Sequence, residues 1–313
     1  MPDAHPSLTQ TGRYSPLRYP GGKGKLARFM KEIVRSNGLS DGRYVEPYAG
    51  GAAVAWELLL TGVVRRVSIN DISLPVFAFW HSVLNSTDKL CRLIHDCALT
   101  VEERDRQKEV FRRANEADHL SLGFSFFFLN RTNRSGILNG GVIGGRDQTG
   151  KWKIDARFNK PDLISRIEKI ASLRARIELT NLDAVKFIEA NAKRFSKKTL
   201  LYIDPPYFDK GRFLYHDAYR AEDHSTVAKS VKKLSGLNWV VSYDDVRPIH
   251  DLYASAPWLQ YTLNYSARNV TRGREVMFFS KNLKVPDVPS PLHEIDRDLR
   301  SRPRPVSMRE FAA

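Results

Sequence analysis

Four short apolar runs in this chain each stop at or just before an acid. They are Tyr44-Val45 before Glu46, Ser68-Ile69-Asn70 before Asp71, the run 176–180 before Asp183, and the run 200–203 before Asp204. Between them lie stretches with helical periodicity, at 25–37, 52–60, 74–84, 88–98, 101–117 and 183–193. Strand and helix in alternation give a mostly parallel sheet covered by helices. In such a sheet ligands sit outside the carboxyl ends of the strands. One acid there is ordinarily a helix N-cap, and Asp183 alone reads that way. Four acids at four strand ends read as the floor of a site. The expected fold class is therefore α/β, with a Rossmann-like, mostly parallel sheet.

The stretch YVEPYAGGAAVAWELL (44–59) ends a strand at Glu46 and passes through Pro47 to Gly50-Gly51. The glycines let backbone approach a ligand before the helix begins. Ala52 and Ala55 break the dinucleotide GxGxxG spacing. A carboxylate in the turn repels a pyrophosphate and suits a cationic group, such as an ammonium or a sulfonium. Asp71 occupies the position from which an acid commonly holds the two hydroxyls of a ribose. PGGKGKL (20–26) has the look of a phosphate loop, but Tyr19 and Leu26 stand where a Walker motif needs Gly and Ser or Thr. Gly22 and Lys23 therefore remain either a turn that delivers a cation to a carboxylate or phosphodiester, or a plain glycine turn with a solvated lysine.

LYIDPPYFDK (201–210) is the most unusual strand ending. Asp204 precedes a proline and is pushed to extended backbone. Pro205 and Pro206 carry no N–H, so the Pro205 carbonyl is left as an acceptor beside the Asp204 carboxylate. Tyr207 adds a flat face. Two acceptors and a ring suit a planar base with an exocyclic amino group, adenine or cytosine. Accepting both amino protons helps the nitrogen lone pair leave ring conjugation and attack a methyl carbon held in line. A base flipped out of its stack would fit such a pocket.

The formal net charge of +15 over 313 residues agrees with a polyanionic partner. The segment 124–161, rich in Gly, Asn and Arg with aromatics at both ends, is long and weakly patterned for a loop, which argues for a job of its own. After it the strand grammar resumes, with strands expected at 199–203, 239–242, 259–265 and 274–281 and a helix at 222–234. Residues 1–14 read as a flexible arm, and the proline- and charge-rich 283–313 as a disordered tail. Cys91 and Cys97 form no CxxC, and no zinc pattern or HExxH is present, so no metal is expected. Without an apolar leader or an 18-residue apolar run, a cytoplasmic protein free of membrane contact is expected.

Taken in order, YPGGK (19–23), EPYAGG (46–51), Asp71, Asp183, DPPY (204–207) and REVMFF (274–279) resemble the Dam-type (D12 class) DNA adenine N6-methyltransferases over about residues 14–282. The resemblance implies a class I methyltransferase fold with S-adenosyl-L-methionine as methyl donor and double-stranded DNA as partner. It puts Tyr19, Gly22 and Lys23 near the cofactor and active site. Glu46, Pro47 and Gly50 would lie along the methionine part, Asp71 on the ribose and Asp183 on the cofactor adenine. Asp204, Pro205, Pro206 and Tyr207 would hold the target base. Residues 15–84 and 161–282 would form the catalytic domain, and 85–160 an inserted, mainly helical and loop target-recognition domain. In that insert LNRTNRSG (129–136) is similar to a family stretch. Asn130, Arg131, Asn133, Arg134 and Asn139 are the candidates for DNA contact, by base reading or by phosphate binding. Ile137-Leu138-Asn139 departs from the family's Arg-Tyr-Asn, and Ala52 and Ala184 replace a frequent glycine and phenylalanine.

Other readings compete. A cytosine C5-methyltransferase needs a nucleophilic cysteine, usually after proline, but Cys91 follows Leu90 and Cys97 follows Asp96. Cytosine N4 or RNA adenine N6 methylation would use a similar pocket. A non-catalytic DNA-binding regulator could dispense with Asp204 and Tyr207, yet both are present. The recognition sequence, the oligomeric state and any partner nuclease are not legible.

Overall fold

The computed structural model describes residues 14–18, 23–209, 219–263 and 274–299. The strands are β1 (Arg43–Glu46), β2 (Arg66–Asn70), β3 (Ile177–Thr180), β4 (Thr199–Ile203), β5 (Asn238–Asp244), β6 (Trp258–Leu263), β7 (Arg274–Phe279) and β8 (Leu292–Asp298). They form one sheet in the order β3-β2-β1-β4-β5-β7-β6-β8. The pairs from β3 to β5 are parallel, and β7 and β8 run against their neighbours. After β1 the chain moves outward to β2, and after β4 it moves the other way to β5. The crevice above β1 and β4 is thus the switch point, where α/β sheets bind ligands.

Helices α1 (Ala27–Ser36), α2 (Ala53–Leu60), α3 (Leu74–Asn85), α4 (Thr87–Asp96), α5 (Val101–Arg112), α6 (His119–Thr132), α7 (Lys160–Ala171), α8 (Ala184–Asn191), α9 (Ala221–Lys232) and α10 (Arg247–Leu252) complete the described fold. In α1, Phe29, Met30, Ile33 and Val34 are buried at helical spacing, and α2 is apolar on nearly every side because it is enclosed. The strands β4 and β5 are buried throughout, as strands covered on both faces must be.

Three expectations change. The run FSFFFLN, read as the start of a weakly patterned segment, is the body of α6. Its residues are buried almost all round, so no amphipathic period shows. Phe127 stacks on Phe79 of α3 with ring centroids 5.4 Å apart, and these rings share one core with the sheet-covering helices. Gly123 permits this approach, since a Cβ there would meet the Ala78 carbonyl oxygen at 2.7 Å. Secondly, α5 is shorter than the expected 101–117. Thirdly, part of the supposed tail is ordered: β8 pairs with β6 from Leu263↔Leu292 to Trp258↔Asp298. An open sheet edge supplies backbone hydrogen bonds whatever the side chains, and composition does not report that. The arm before Tyr14 and the tail beyond Leu299 lie outside the described residues.

Candidate active site

Glu46 ends β1 and Asp204 follows β4, on adjacent strands at the switch point. Asp204 Oδ1 accepts a 2.5 Å hydrogen bond from Ser242 Oγ on β5. The Tyr202 hydroxyl lies 2.8 Å from Ser242 Oγ, so Tyr202 donates to the serine and the serine to the aspartate. Lys23 Nζ stands 3.3 Å from the same Oδ1. Both of these contacts fall on Oδ1. Burial pushes the Asp204 carboxyl above its ordinary range, and Lys23 and Ser242 work against it.

Tyr207 is held at its tip. Its hydroxyl accepts from Lys23 Nζ at 2.5 Å and donates to Glu275 Oε1 at 2.7 Å. The loop after it is held by backbone: the Phe208 and Asp209 amides donate to the two oxygens of Asp244, at 2.8 and 2.9 Å. Burial alone would lower the Lys23 ammonium, but Asp204 and Glu275 outweigh it and hold it well above its ordinary value.

The neighbouring half of the crevice carries Glu46 and Asp71. Glu46 is buried and accepts from the Tyr44 hydroxyl at 3.0 Å. Burial drives its pKa to about 8. Asp71 accepts from Gly50 N at 2.8 Å and from Ser73 N at 2.9 Å, and burial still raises it to about 6. Gly50 has φ 46° and Ala52 φ 45°, so the turn brings its backbone round in the left-handed region, at some strain for the alanine. Asp183 accepts from Lys186 N at 3.0 Å and caps α8, as its capping reading has it.

Residues 19–267 match the family described as D12 class N6 adenine-specific DNA methyltransferase. The chain belongs to this family. The methyltransferase acts on adenine N6 in DNA with S-adenosylmethionine as cofactor. It is 22% identical over 239 residues to the Type II methyltransferase M.MjaIII of Methanocaldococcus jannaschii, a match covering 70% of this chain and 79% of that protein. Among solved structures it is similar to a SAM dependent methyltransferase from Agrobacterium tumefaciens, with TM-score 0.40 and 10% identity. That match covers 83% of this chain and 63% of the other, less than two thirds of its length. The rRNA methyltransferase aviRa from Streptomyces viridochromogenes matches with TM-score 0.36 and 13% identity, over 88% of this chain and 96% of that one.

Of the residues the sequence pointed to, Lys23, Glu46, Pro47, Gly50, Asp71, Asp183, Asp204, Pro205, Pro206 and Tyr207 fall at the strand ends of this methyltransferase or in the turns beside them. Tyr19 and Gly22 lie outside the described residues.

The insert residues divide. Asn130 and Asn133 are corrections, because both are buried and spent on the fold. Asn130 Oδ1 accepts from Arg18 N at 2.7 Å and its amide donates to Arg18 O at 2.6 Å. Asn133 accepts from Arg104 Nε at 2.8 Å and donates to the carbonyls of Ile137 and Leu138. Arg131 is partly consumed too, donating to the carbonyls of Pro16 and Arg157, and burial lowers its guanidinium to about 9. Arg134 and Asn139 are exposed.

Four site residues were missed. Ser242 and Asp244 sit inside an apolar strand, and Glu275 inside a motif read only as a family mark. Asn70 ties three loops together, donating to the carbonyls of Pro47 and Leu182 and accepting from Thr180 and Leu182. The one local signal was polar residues at fully buried strand positions. Among the described residues no cluster of His, Cys, Asp or Glu could hold a metal, and no helix is long and apolar enough to cross a membrane.

Proposed function

We propose that the chain methylates N6 of an adenine rotated out of duplex DNA into the pocket at the end of β4. The observation that carries this is the fixed geometry of Asp204 to Tyr207. Asp204 is held through one oxygen by Ser242 and Lys23. The Pro205 carbonyl follows it, and the Tyr207 ring is pinned at its hydroxyl. The carboxylate and the carbonyl would accept the two amino protons of the base, and the ring would stack on it. Lys23 would steady the negative charge of Asp204 without taking up its proton-accepting role.

The donor set of the other half fits S-adenosylmethionine. A buried glutamate with no cationic partner among the described residues suits a ligand that brings positive charge, and Asp71, fixed by two backbone amides, suits a ribose diol. Bound there, the cofactor supplies an electrophilic methyl group. Ile72 and Leu182, both exposed, flank Asp71 and Asp183 and offer apolar cover for its adenine, where Ala184 is small.

We read 15–84 and 161–282, together with β8 that extends their sheet, as the catalytic part and 85–160 as the recognition insert. Arg134, Asn139 and Trp152 would face the DNA. Trp152 is 62% exposed and lies beside Lys151, whose Nζ is 5.8 Å from its ring centroid. An exposed aromatic between lysines suits stacking and phosphate contact together. We expect the protein in the cytoplasm, beside its substrate.

The test is modification-sensitive sequencing of DNA from cells expressing the chain, beside Asp204→Ala. N6-methyladenine at one short motif, absent in the variant, is the expected result. N4-methylcytosine would change the base, and no DNA mark would overturn the reading.

A further inference from the structure

Glu275 is 1% exposed on β7, yet no role in the reaction has been given to it. Among the described residues three donors converge on its carboxylate. Tyr207 donates to Oε1 at 2.7 Å, while Lys23 at 3.0 Å and the Tyr261 hydroxyl at 2.7 Å share Oε2. In the sheet Glu275 stands directly opposite Asp244 of β5 and Tyr261 of β6. Asp244 is the residue that holds the Phe208 and Asp209 amides. Two acids facing each other across a strand pair would ordinarily repel. Here each is turned to a different part of one loop, Asp244 to its backbone and Glu275 to the tip of Tyr207.

The charge count gives the arrangement its meaning. Among the described residues one ammonium, Lys23, stands between two carboxylates, 3.0 Å from Glu275 and 3.3 Å from Asp204. A buried ammonium goes to whatever carboxylate is in reach. Were Glu275 neutral, Asp204 would be the remaining carboxylate for Lys23. The lysine would then close on the acceptor that the target amino group needs, and the Tyr207 hydroxyl would lose the carboxylate it donates to.

We propose that Glu275 is a positioning residue of the reaction, which draws Lys23 and the Tyr207 hydroxyl to itself and so keeps Asp204 open to the target amino group. This rests on the base-pocket reading above. A buried carboxylate whose donors were merely structural would not bear on Asp204. This one does, because it shares Lys23 with it. Asp204 is also faced by Tyr44 and Glu46 from β1, Tyr202 from its own strand, Ser242 and Tyr243 from β5, and Lys23 from the turn before α1. Removing the Glu275 charge takes one negative neighbour from Asp204 and gives it a closer ammonium. Both changes favour the ionised carboxylate, so the acid limb of the rate moves to lower pH.

The experiment compares wild type, Glu275→Gln and Asp204→Ala in single-turnover methylation at saturating cofactor and duplex DNA, across pH. Glu275→Gln is expected to slow the step by about 10- to 100-fold while DNA and cofactor affinity change by less than about threefold. Its acid limb is expected to fall by about one pH unit. A wild-type rate and limb would overturn the proposal, and so would a slow enzyme whose limb has not moved, which is what a purely structural role predicts. If Glu275→Gln does not fold, Tyr207→Phe keeps the ring and cuts the same anchor. It must then lose about tenfold in rate with DNA affinity intact, and an unchanged rate overturns the proposal. An active Asp204→Ala would sink the base-pocket reading itself. An inactive Asp204→Ala beside a normal Glu275→Gln would sink this inference alone.

Discussion

On the proposed reading, binding of S-adenosylmethionine should expel a proton, and Glu46 should be its source. Its carboxyl has a pKa of about 8 in the ligand-free fold because it is buried at the end of β1, although the Tyr44 hydroxyl donates to it. At pH 7 such a group is about 0.9 protonated. A cationic ligand favours the ionised form, so the complex should release close to that number of protons. Asp71, at about 6, would add about 0.1. Below pH 8 the affinity should then rise about tenfold per pH unit towards a plateau, the slope being set by one proton. Titration calorimetry of the purified chain with the cofactor, in buffers of different ionisation enthalpy, reads this number directly. Glu46→Gln should bind more weakly and release almost none. The ligand-free fold supplies an independent check. Its Glu46 binds a proton that the unfolded chain, with the ordinary glutamate value of 4.5, has already lost. Stability contributed by the neutral form is therefore complete below about pH 4.5 and falls as pH rises towards 8, by up to about 1.4 kcal/mol per unit. Cofactor binding without proton release at pH 7, or a Glu46→Gln variant whose release matches wild type, would refute the reasoning.

The remaining expectations concern the pocket and the insert. Asp204→Ala should lose at least about a hundredfold in turnover while DNA affinity holds, measured by methyl incorporation beside fluorescence anisotropy. Asn133→Ala should lower the melting midpoint, at a cost of about 2 kcal/mol, because buried Arg104 Nε and the Leu138 carbonyl lose their partner and the Ile137 carbonyl keeps only Gly140 N. Arg134→Ala should do the opposite, weakening DNA binding with the midpoint unchanged, and equal melting of the two variants would contradict the division of the insert. DNA affinity should fall linearly on a log scale with log salt, as counterion release requires, and a flat response would speak against a basic DNA surface.

The alternation of strands and helices was legible because it is local. An apolar run of four or five residues, a following turn and a periodic helix need nothing from elsewhere in the chain. The acids at the strand ends were legible for the same reason, and the parallel sheet then brings Glu46 and Asp204 to adjacent strand ends. The two prolines after Asp204 announce their geometry through covalent chemistry alone.

The tertiary structure decided what the same residue types are for. Asn130 and Asn133 have the side chain that reads adenine, but they are enclosed against Arg18 and Arg104, and a buried amide must spend its bonds on what surrounds it. Glu275 reaches Lys23 across 252 positions, and Ser242 reaches Asp204 across 38, through strand pairings that no local pattern announces. Strand β8 exists because β6 offers it an edge. Most of the elements, though not α6 or β8, were written in short-range periodicity. Which polar side chains face the substrate and which hold the fold was settled by burial, and burial is a property of the assembled sheet.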